Sequence, residues 1–403
     1  MTDAIRRAVV LATRPGAAVG VGGLPLAVRS ILALRAAGFD DLGVVASDRP
    51  DWATEPLRRR GVRVRWEPYP TTPPAGGSGP GHASTLFLAG DVLVDAVAAE
   101  ALRSARPGPV RTAGGRLVGE VRVDADGVGG LDRDEPSSPE RSSAPGTRIT
   151  EGLAVSLADA GSPEGLERAL LDHLAGRPAG DSYLAAVLDR PMSRAVTRLL
   201  LRTPLTPSHV TALGMAIGCL GALGLATVSY WGRLVGVLLL IVSLVLDCVD
   251  GDVARARLAE NPAGARLDVI GDYLVNLAVF AGLAIGLWRE GLPPGGGWAA
   301  LALVSGVGAA MATIHLLFIR PVLRRGGDLH WAGDAGSLRG KPGASVLEKV
   351  ASRDYTYLLL LLAIAGHLEW FLYAAAGGAW LFTAGVVGYA FLAHRRGVRG
   401  GTR

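Results

Sequence analysis

The 403-residue sequence predicts two domains: an N-terminal α/β domain with a Rossmann-like sheet, then an all-α polytopic membrane domain of six transmembrane helices. Three observations carry that prediction. Apolar residues make up 49% of the chain, yet unbroken runs of them begin only near Val210. Those runs are about 20 residues long, enough to cross a hydrocarbon core of roughly 30 Å. Before that point, short apolar strands alternate with helical patterns and Gly-rich turns, the signature of an α/β domain.

In the first half, Ala8-Val9-Val10-Leu11-Ala12 reads as a strand, followed by a Gly-rich loop from Gly16 to Gly23. Helical spacing covers 26–37 and stops at Gly38, and 42–46 supplies the next strand. Residues 68–82 and 124–148, rich in Pro, Gly, Ser and Asp, read as loops. Between them, 85–89 is a strand ending at Gly90-Asp91, and a helix follows near 161–175. This domain is expected over 1–180.

Residues 181–208 form a juxtamembrane segment with a helix over 183–202. Arg190, Arg194 and Arg198 recur on one face; Leu188, Met192, Val196 and Leu199 recur on another. Such a helix suits a bilayer surface with its cations toward headgroups, or equally a packed position on the soluble domain. Six spans follow at 209–229, 233–254, 267–288, 298–319, 355–371 and 373–393, within a membrane domain over 209–394. Fourteen cations, from Arg255 through Arg353 to Arg403, fall on one side, against Arg233 and Arg289 on the other. The positive-inside rule therefore places both termini and the richer side in the cytoplasm, with the chain in the cytoplasmic (inner) membrane. The opening residues do not read as a cleavable leader, because Arg14-Pro15-Gly16 breaks the apolar stretch. Cys219 and Cys248 both lie in spans and form no disulfide framework. The net charge of +5 fits an anionic membrane surface, so no nucleic-acid partner is expected.

Between spans two and three stand Asp247, Asp250, Gly251, Ala254, Arg255, Gly264, Asp268 and Asp272. Acidic groups in membrane helices are expensive and mark function. Asp247 and Asp250 are three apart and Asp268 and Asp272 four apart, so each pair shares a helix face. Facing pairs invite hard divalent cations, Mg²⁺ or Mn²⁺, which also take phosphate oxygens. Gly251 leaves room for a diphosphate against the backbone. Ala254 keeps that face shallow, Arg255 offers a bidentate phosphate contact, and Gly264 permits the turn between helices. Asp252 and Glu260 read as acids solvated at a helix end.

The spacing Asp-x-x-Asp-Gly-x-x-Ala-Arg-(x)8-Gly-x-x-x-Asp-x-x-x-Asp resembles the signature of the CDP-alcohol phosphotransferases, with all eight fixed positions present. The resemblance covers about 183–394. It implies six helices around a polar cavity open to the cytoplasm and transfer of a substituted phosphate from a CDP-alcohol to an acceptor hydroxyl, releasing CMP. It also implies two bound Mg²⁺ or Mn²⁺ ions, held by Asp247, Asp250 and Asp268, with Asp272 as the base and a shared ligand. Ser208, Thr211, Gly251, Ala254, Arg255, Asn261 and Gly264 would contact the nucleotide; Ser208 stands where the family has asparagine and can cap the helix. Arg320 and Arg353 are candidates for an acceptor phosphate. The expected partners are a CDP-alcohol donor, an alcohol acceptor, the bilayer and a second copy in a homodimer.

Residues 6–46 and 84–95 resemble a nucleotidyltransferase, with Asp91 at the position of a metal ligand. The loop is short, however, and no lysine precedes Lys341; Arg14 or Arg29 would have to serve instead. The order of modules resembles bifunctional enzymes that make CDP-inositol and then use it, which favours a CDP-inositol or similar polar-headgroup donor. A synthase using CDP-diacylglycerol is the alternative. A cation transporter is a third reading, disfavoured because ion transport gives no reason for Arg255 beside the acids.

Overall fold

The computed structural model describes residues 5–13, 15–46, 49–67, 84–113, 115–123, 147–175, 185–291, 295–320 and 355–400. The predicted loop at 68–82 and most of that at 124–148 lie outside these residues. The chain divides into two units, one of residues 1–176 with 256–258, the other of 177–255 with 259–403.

In the first unit, β1 (Arg7–Leu11) is central and pairs in parallel with β4 (Asp41–Val45) and β6 (Ser84–Ala89). Two short strands, β2 (Gly20–Val21) and β3 (Leu24–Pro25), form a hairpin ahead of α1 (Leu26–Ala36). The sheet continues outward through β5 (Arg65–Glu67) on one side, and through β9 (Leu117–Val123), β8 (Gly108–Arg111) and β10 (Thr147–Arg148) on the other. Strand β10 lies in a stretch that composition reads as loop; Thr147 and Arg148 pair with Val110 and Arg111. Helix α1 ends where expected. Gly38 takes φ +88°, its N–H reaches the Arg35 carbonyl, and the Phe39 N–H reaches Leu34. That doubly bonded stop needs a left-handed residue, which glycine adopts without a Cβ clash. Val9, Val10, Leu86 and Leu88 are fully buried, as expected for parallel strands covered on both faces.

Because β4 and β6 flank β1, the chain changes direction at the carboxyl ends of β1 and β6. Open α/β sheets place their ligands at that point. Here it holds the Pro15–Ala18 turn and Asp91.

In the second unit, α6 (Arg190–Leu201) precedes α7 (Pro207–Leu225), α8 (Tyr230–Ala256), α9 (Pro262–Glu290) and α10 (Gly296–Ile314). Then come α11 (Tyr355–Ala365) and α12 (Leu368–Gly400). Five described helices are long and apolar enough to cross a membrane, and α11 is a shorter apolar helix. The expected break between the last two spans, near 372, lies instead at Gly366. With φ +75°, Gly366 donates to Ala363 and His367 donates to Leu362, the same doubly bonded helix stop as at Gly38. His367 and Glu369 mark the break, but apolar residues resume at Trp370, so a hydropathy average passes over it.

Glycine lets these helices approach closely. A Cβ on Gly224 would stand 2.6 Å from the Gly236 Cα, one on Gly218 2.8 Å from Val275, and one on Gly282 would collide with the Ala222 carbonyl. In lipid, where apolar burial gives little drive to associate, such close backbone packing holds helices together. Arg233 caps the end remote from the aspartates: it donates to the carbonyls of Thr227 (2.9 Å) and Gly286 (3.1 Å) and pairs with Glu290 (2.6 Å). At that end Trp231, Trp288, Trp298 and Trp370 are all at least 66% exposed, matching an aromatic belt at a membrane interface. Replacing Gly282 with Leu should destabilise the second unit by about 1–3 kcal/mol or more, as overpacking does. Thermal unfolding in detergent should show it, and an unchanged midpoint would refute the close α7–α9 contact.

Candidate active site

Helix α8 is apolar until its last turns, where Asp247 and Asp250 follow Ser243 at the spacing that keeps all three toward α7 and α9. Helix α9 starts after Asn261, whose side-chain oxygen accepts the Gly264 N–H at 2.7 Å. Asp268 and Asp272 then lie on its second and third turns. One cavity is lined by Thr211, Gly214, Met215, Ser243, Asp247, Asp250, Asp268, Gly271, Asp272 and Val275. All four predicted aspartates thus meet at one place, together with Thr211.

Their arrangement is unequal. Asp247, Asp268 and Asp272 each bring a carboxylate oxygen to within 4.8 Å of the others, the candidate metal cluster among the described residues. An all-oxygen anionic donor set of this size fits a hard divalent cation. Asp250 is 6% exposed and its Oδ2 accepts the Thr211 hydroxyl at 2.5 Å. The same hydroxyl lies 3.1 Å from the Pro207 carbonyl, but it has one proton, and the shorter, charge-assisted bond to Asp250 takes it. The Asn276 side chain donates to the Asp272 carbonyl at 2.8 Å, and Tyr355 donates to Asn276 in turn. The middle of α9 is thereby tied to α11.

The remaining predicted residues sit outside this cavity's lining. The N-cap of α7 is Thr206, not Ser208: Thr206 accepts the His209 N–H while His209 Nδ1 accepts that of Thr206, with Pro207 first in the helix. Ser208 is left in the first turn without the capping role expected of it, and His209 belongs to the cap. Gly264 does not form the interhelical turn. That turn falls at 257–260, where Leu258 adopts φ 48° and the Ala259 N–H reaches the Ala254 carbonyl at 2.9 Å. Asn261 is the cap of α9. The space beside Gly251, expected for a diphosphate, holds the Arg255 guanidinium, 3.2–3.3 Å from where a Cβ would be. Arg320 is exposed at the end of the turn that follows α10, and Arg353 lies outside the described residues.

Sequence reasoning passed over Gly214, Met215, Ser243, Gly271 and Val275. Ser243, a lone hydroxyl in the apolar run before Asp247, was the available signal; it is 4% exposed and donates to the Gly214 carbonyl at 2.8 Å. Asp252 was misread as solvated. It is 4% exposed and accepts from Arg255 (2.7 Å), Arg190 (3.2 Å) and Ser193 (3.2 Å). Arg190 therefore does not share the outward face assigned to it. Buried Asp189, Ser193, Thr197 and Leu201 instead form the inner stripe of α6 and its approach, while Leu188, Met192 and Leu199 are exposed.

In the first unit, Asp91 sits at the sheet's switch point, but the 15–18 turn rests on it: a Cβ on Gly16 would be 2.8 Å from that of Asp91. Arg29 is 4% exposed and donates to the Val21 carbonyl; burial, and secondarily the charge of Arg60, brings its pKa down to about 10. Arg14 lies outside the described residues.

With this geometry in place, the comparisons identify the second unit. Residues 204–383 match the family model described as CDP-alcohol phosphatidyltransferase. The C-terminal half of the chain is a CDP-alcohol phosphotransferase domain. The chain is 34% identical over 196 residues to the bifunctional IPC transferase and DIPP synthase of Rubrobacter xylanophilus, covering 45% of this chain and 44% of that protein. It is 33% identical over 154 residues to the phosphatidylinositol phosphate synthase of Mycolicibacterium smegmatis, covering 38% and 60%. The match spans less than half the length of the bifunctional relative. A crystal structure of Mycobacterium tuberculosis phosphatidylinositol phosphate synthase with manganese and citrate aligns at 23% identity, covering 49% of this chain and 88% of that one, with a TM-score of 0.32.

Replacing Asp268 with Asn should weaken Mn²⁺ binding, measured by calorimetry on the purified chain, at least about ten-fold, because a charged ligand is lost while shape is kept. Glu260→Gln should bind as the unaltered protein does. Equal Mn²⁺ affinity in the Asp268 variant would remove Asp268 from the metal site.

Proposed function

We propose that the protein transfers a substituted phosphate from a CDP-alcohol to an acceptor hydroxyl in the membrane, releasing CMP. The observation that carries this reading is the cluster of Asp247, Asp268 and Asp272 oxygens within 4.8 Å of one another, inside the segment that matches the family. In this reading Asp247, Asp250, Asp268 and Asp272 hold two Mg²⁺ or Mn²⁺ ions. Such ions, when bound, neutralise the diphosphate and stabilise the departing CMP. Asp272 takes the proton of the acceptor hydroxyl as its oxygen forms a bond to the phosphorus that carries the alcohol. The bond from that phosphorus to the bridging oxygen breaks, and CMP leaves with the electron pair. Thr211 holds the buried Asp250 carboxylate in one orientation. Arg255, with Gly251, Ala254, Asn261 and Gly264 nearby in sequence and Ser208 in the first turn of α7, faces the nucleotide diphosphate, and Arg320 and Arg353 serve an acceptor phosphate. The guanidinium held over Gly251 has no use in an ion pathway, which weighs against a transporter.

For the donor we favour CDP-inositol or a similar polar CDP-alcohol, a choice supported by the α/β unit ahead of the membrane unit. CDP-diacylglycerol is the second reading, supported by the similarity to a phosphatidylinositol phosphate synthase. We further infer three regions (1–180, 181–208 and 209–394), six spans with α11 as the fifth, a homodimer, and placement in the inner membrane. Both termini and the aspartates then face the cytoplasm.

Incubating the purified chain with Mn²⁺ or Mg²⁺ and a panel of CDP-alcohols should release CMP, and a chelator should stop it. Asp272→Asn should lower kcat about 10²–10⁴-fold, the usual contribution of a general base. No CMP from any donor, or near-normal turnover in that variant, would refute the assignment. A reporter inserted at 293–297 should read external; a cytoplasmic signal would invert the topology. The N-terminal unit should release little or no pyrophosphate from CTP and an alcohol phosphate, because its loop lacks the dense positive charge a triphosphate needs. Rapid release that Asp91→Ala abolishes would show a working cytidylyltransferase.

A further inference from the structure

The carboxylate of Asp252 is buried and meets three side-chain donors, and the reaction above does not use it. It stands on α8 between two metal-facing residues and the motif arginine, yet it points away from the cavity lined by the other four aspartates. Its Oδ1 accepts from Arg255 Nη2 at 2.7 Å and from Arg190 Nη1 at 3.2 Å, and its Oδ2 accepts from Ser193 Oγ at 3.2 Å. Asp252 is 4% exposed, whereas the Arg255 side chain keeps 31% of its surface open. The arrangement therefore has a closed end and an open end. The closed end is anchored further: Asp189, next to Arg190 and 2% exposed, accepts the Tyr357 hydroxyl of α11.

We propose that Asp252 is a positioning residue for the donor site, clamping the Arg255 guanidinium over Gly251 so that its remaining N–H groups present to the donor diphosphate. The inference rests on the reading of Arg255 as a diphosphate ligand. A guanidinium has five N–H donors in a rigid fork. Asp252 occupies Nη2 from one side, which fixes the plane of the fork and leaves other donors for an anion. An arginine free to rotate would have to be ordered by the ligand itself, and ordering a long side chain weakens binding. Gly251 completes the device. A Cβ there would stand 3.2 Å from Nη1, so the guanidinium would have to shift by a few tenths of an ångström to make room for it. The second cation, Arg190, faces the buried carboxylate, and Ser193 satisfies its other oxygen, so Asp252 is held in place without drawing on the ligand. Through Arg190 and Ser193, the helix before the first span becomes part of the donor site's support.

The test is a double-mutant cycle on the full chain, with equilibrium binding of CDP in the presence of Mn²⁺ as the readout. Asp252→Asn and Arg255→Ala should each weaken CDP binding about ten-fold, and the double variant should bind no worse than Arg255→Ala alone. Ser193→Ala, a smaller change that keeps the fold should Asp252→Asn unfold, is expected to weaken CDP about three-fold, an effect that vanishes in the Arg255→Ala background. Mn²⁺ affinity should stay unchanged in the Asp252 and Ser193 variants. Losses that add in the double variants, or wild-type CDP binding by Asp252→Asn, would overturn the inference and reduce Asp252 to a structural tie between α6 and α8. Undiminished CDP binding by Arg255→Ala would instead sink the underlying reading of Arg255, and the inference with it.

Discussion

Several carboxylates held together inside apolar helices are the constraint on which the rest of this unit depends. Like charges within 4.8 Å of one another repel, and partly covered groups are screened less than they would be in open water. The arrangement is stable only if the helices that carry them are held together by other means and if cations meet the charge. The first condition is answered by glycine. Gly224, Gly236 and Gly282 let α7, α8 and α9 approach until backbone meets backbone, so the scaffold does not rely on the charged end. At the remote end Arg233 fastens the Thr227 carbonyl just past α7 to the Gly286 carbonyl of α9 and pairs with Glu290.

The second condition divides the five acids near the site into kinds. Asp247, Asp268 and Asp272 converge as a donor set for a hard cation. Asp250 leans on Thr211, which costs the first helix a hydroxyl but sets the carboxylate's direction. Asp252 is matched by two guanidiniums and a serine, all from its own unit. One short stretch of α8 thus turns Asp247 toward the carboxylate cluster, Asp250 toward Thr211 and Asp252 toward two protein cations.

The first unit shows the opposite economy of charge. Its parallel strands converge on a switch point suited to a ligand, yet the turn at 15–18 is packed onto Asp91, and the buried Arg29 is engaged by a backbone carbonyl. A switch point in an open α/β sheet and a site equipped to activate a triphosphate are separate properties, and the sheet supplies the former.

The sequence by itself determined the two-part architecture, the long apolar helices and the four aspartates that meet, because those depend on local periodicity: runs long enough to span a bilayer, and acids spaced to share a helix face. It also placed β1, α1, β4 and β6 to within a residue, since glycine stops and apolar strands are local signals. The tertiary structure alone decided the rest. Asp252 meets Ser193 and Arg190 from 59 and 62 positions away, and no periodicity links them. Thr206 rather than Ser208 caps α7 because the backbone leaves the helix one residue before Pro207. The break at Gly366 is a left-handed turn followed by His367 and Glu369, after which the apolar run resumes at once. Such features come from contacts between helices and from backbone geometry, and hydropathy averages over both.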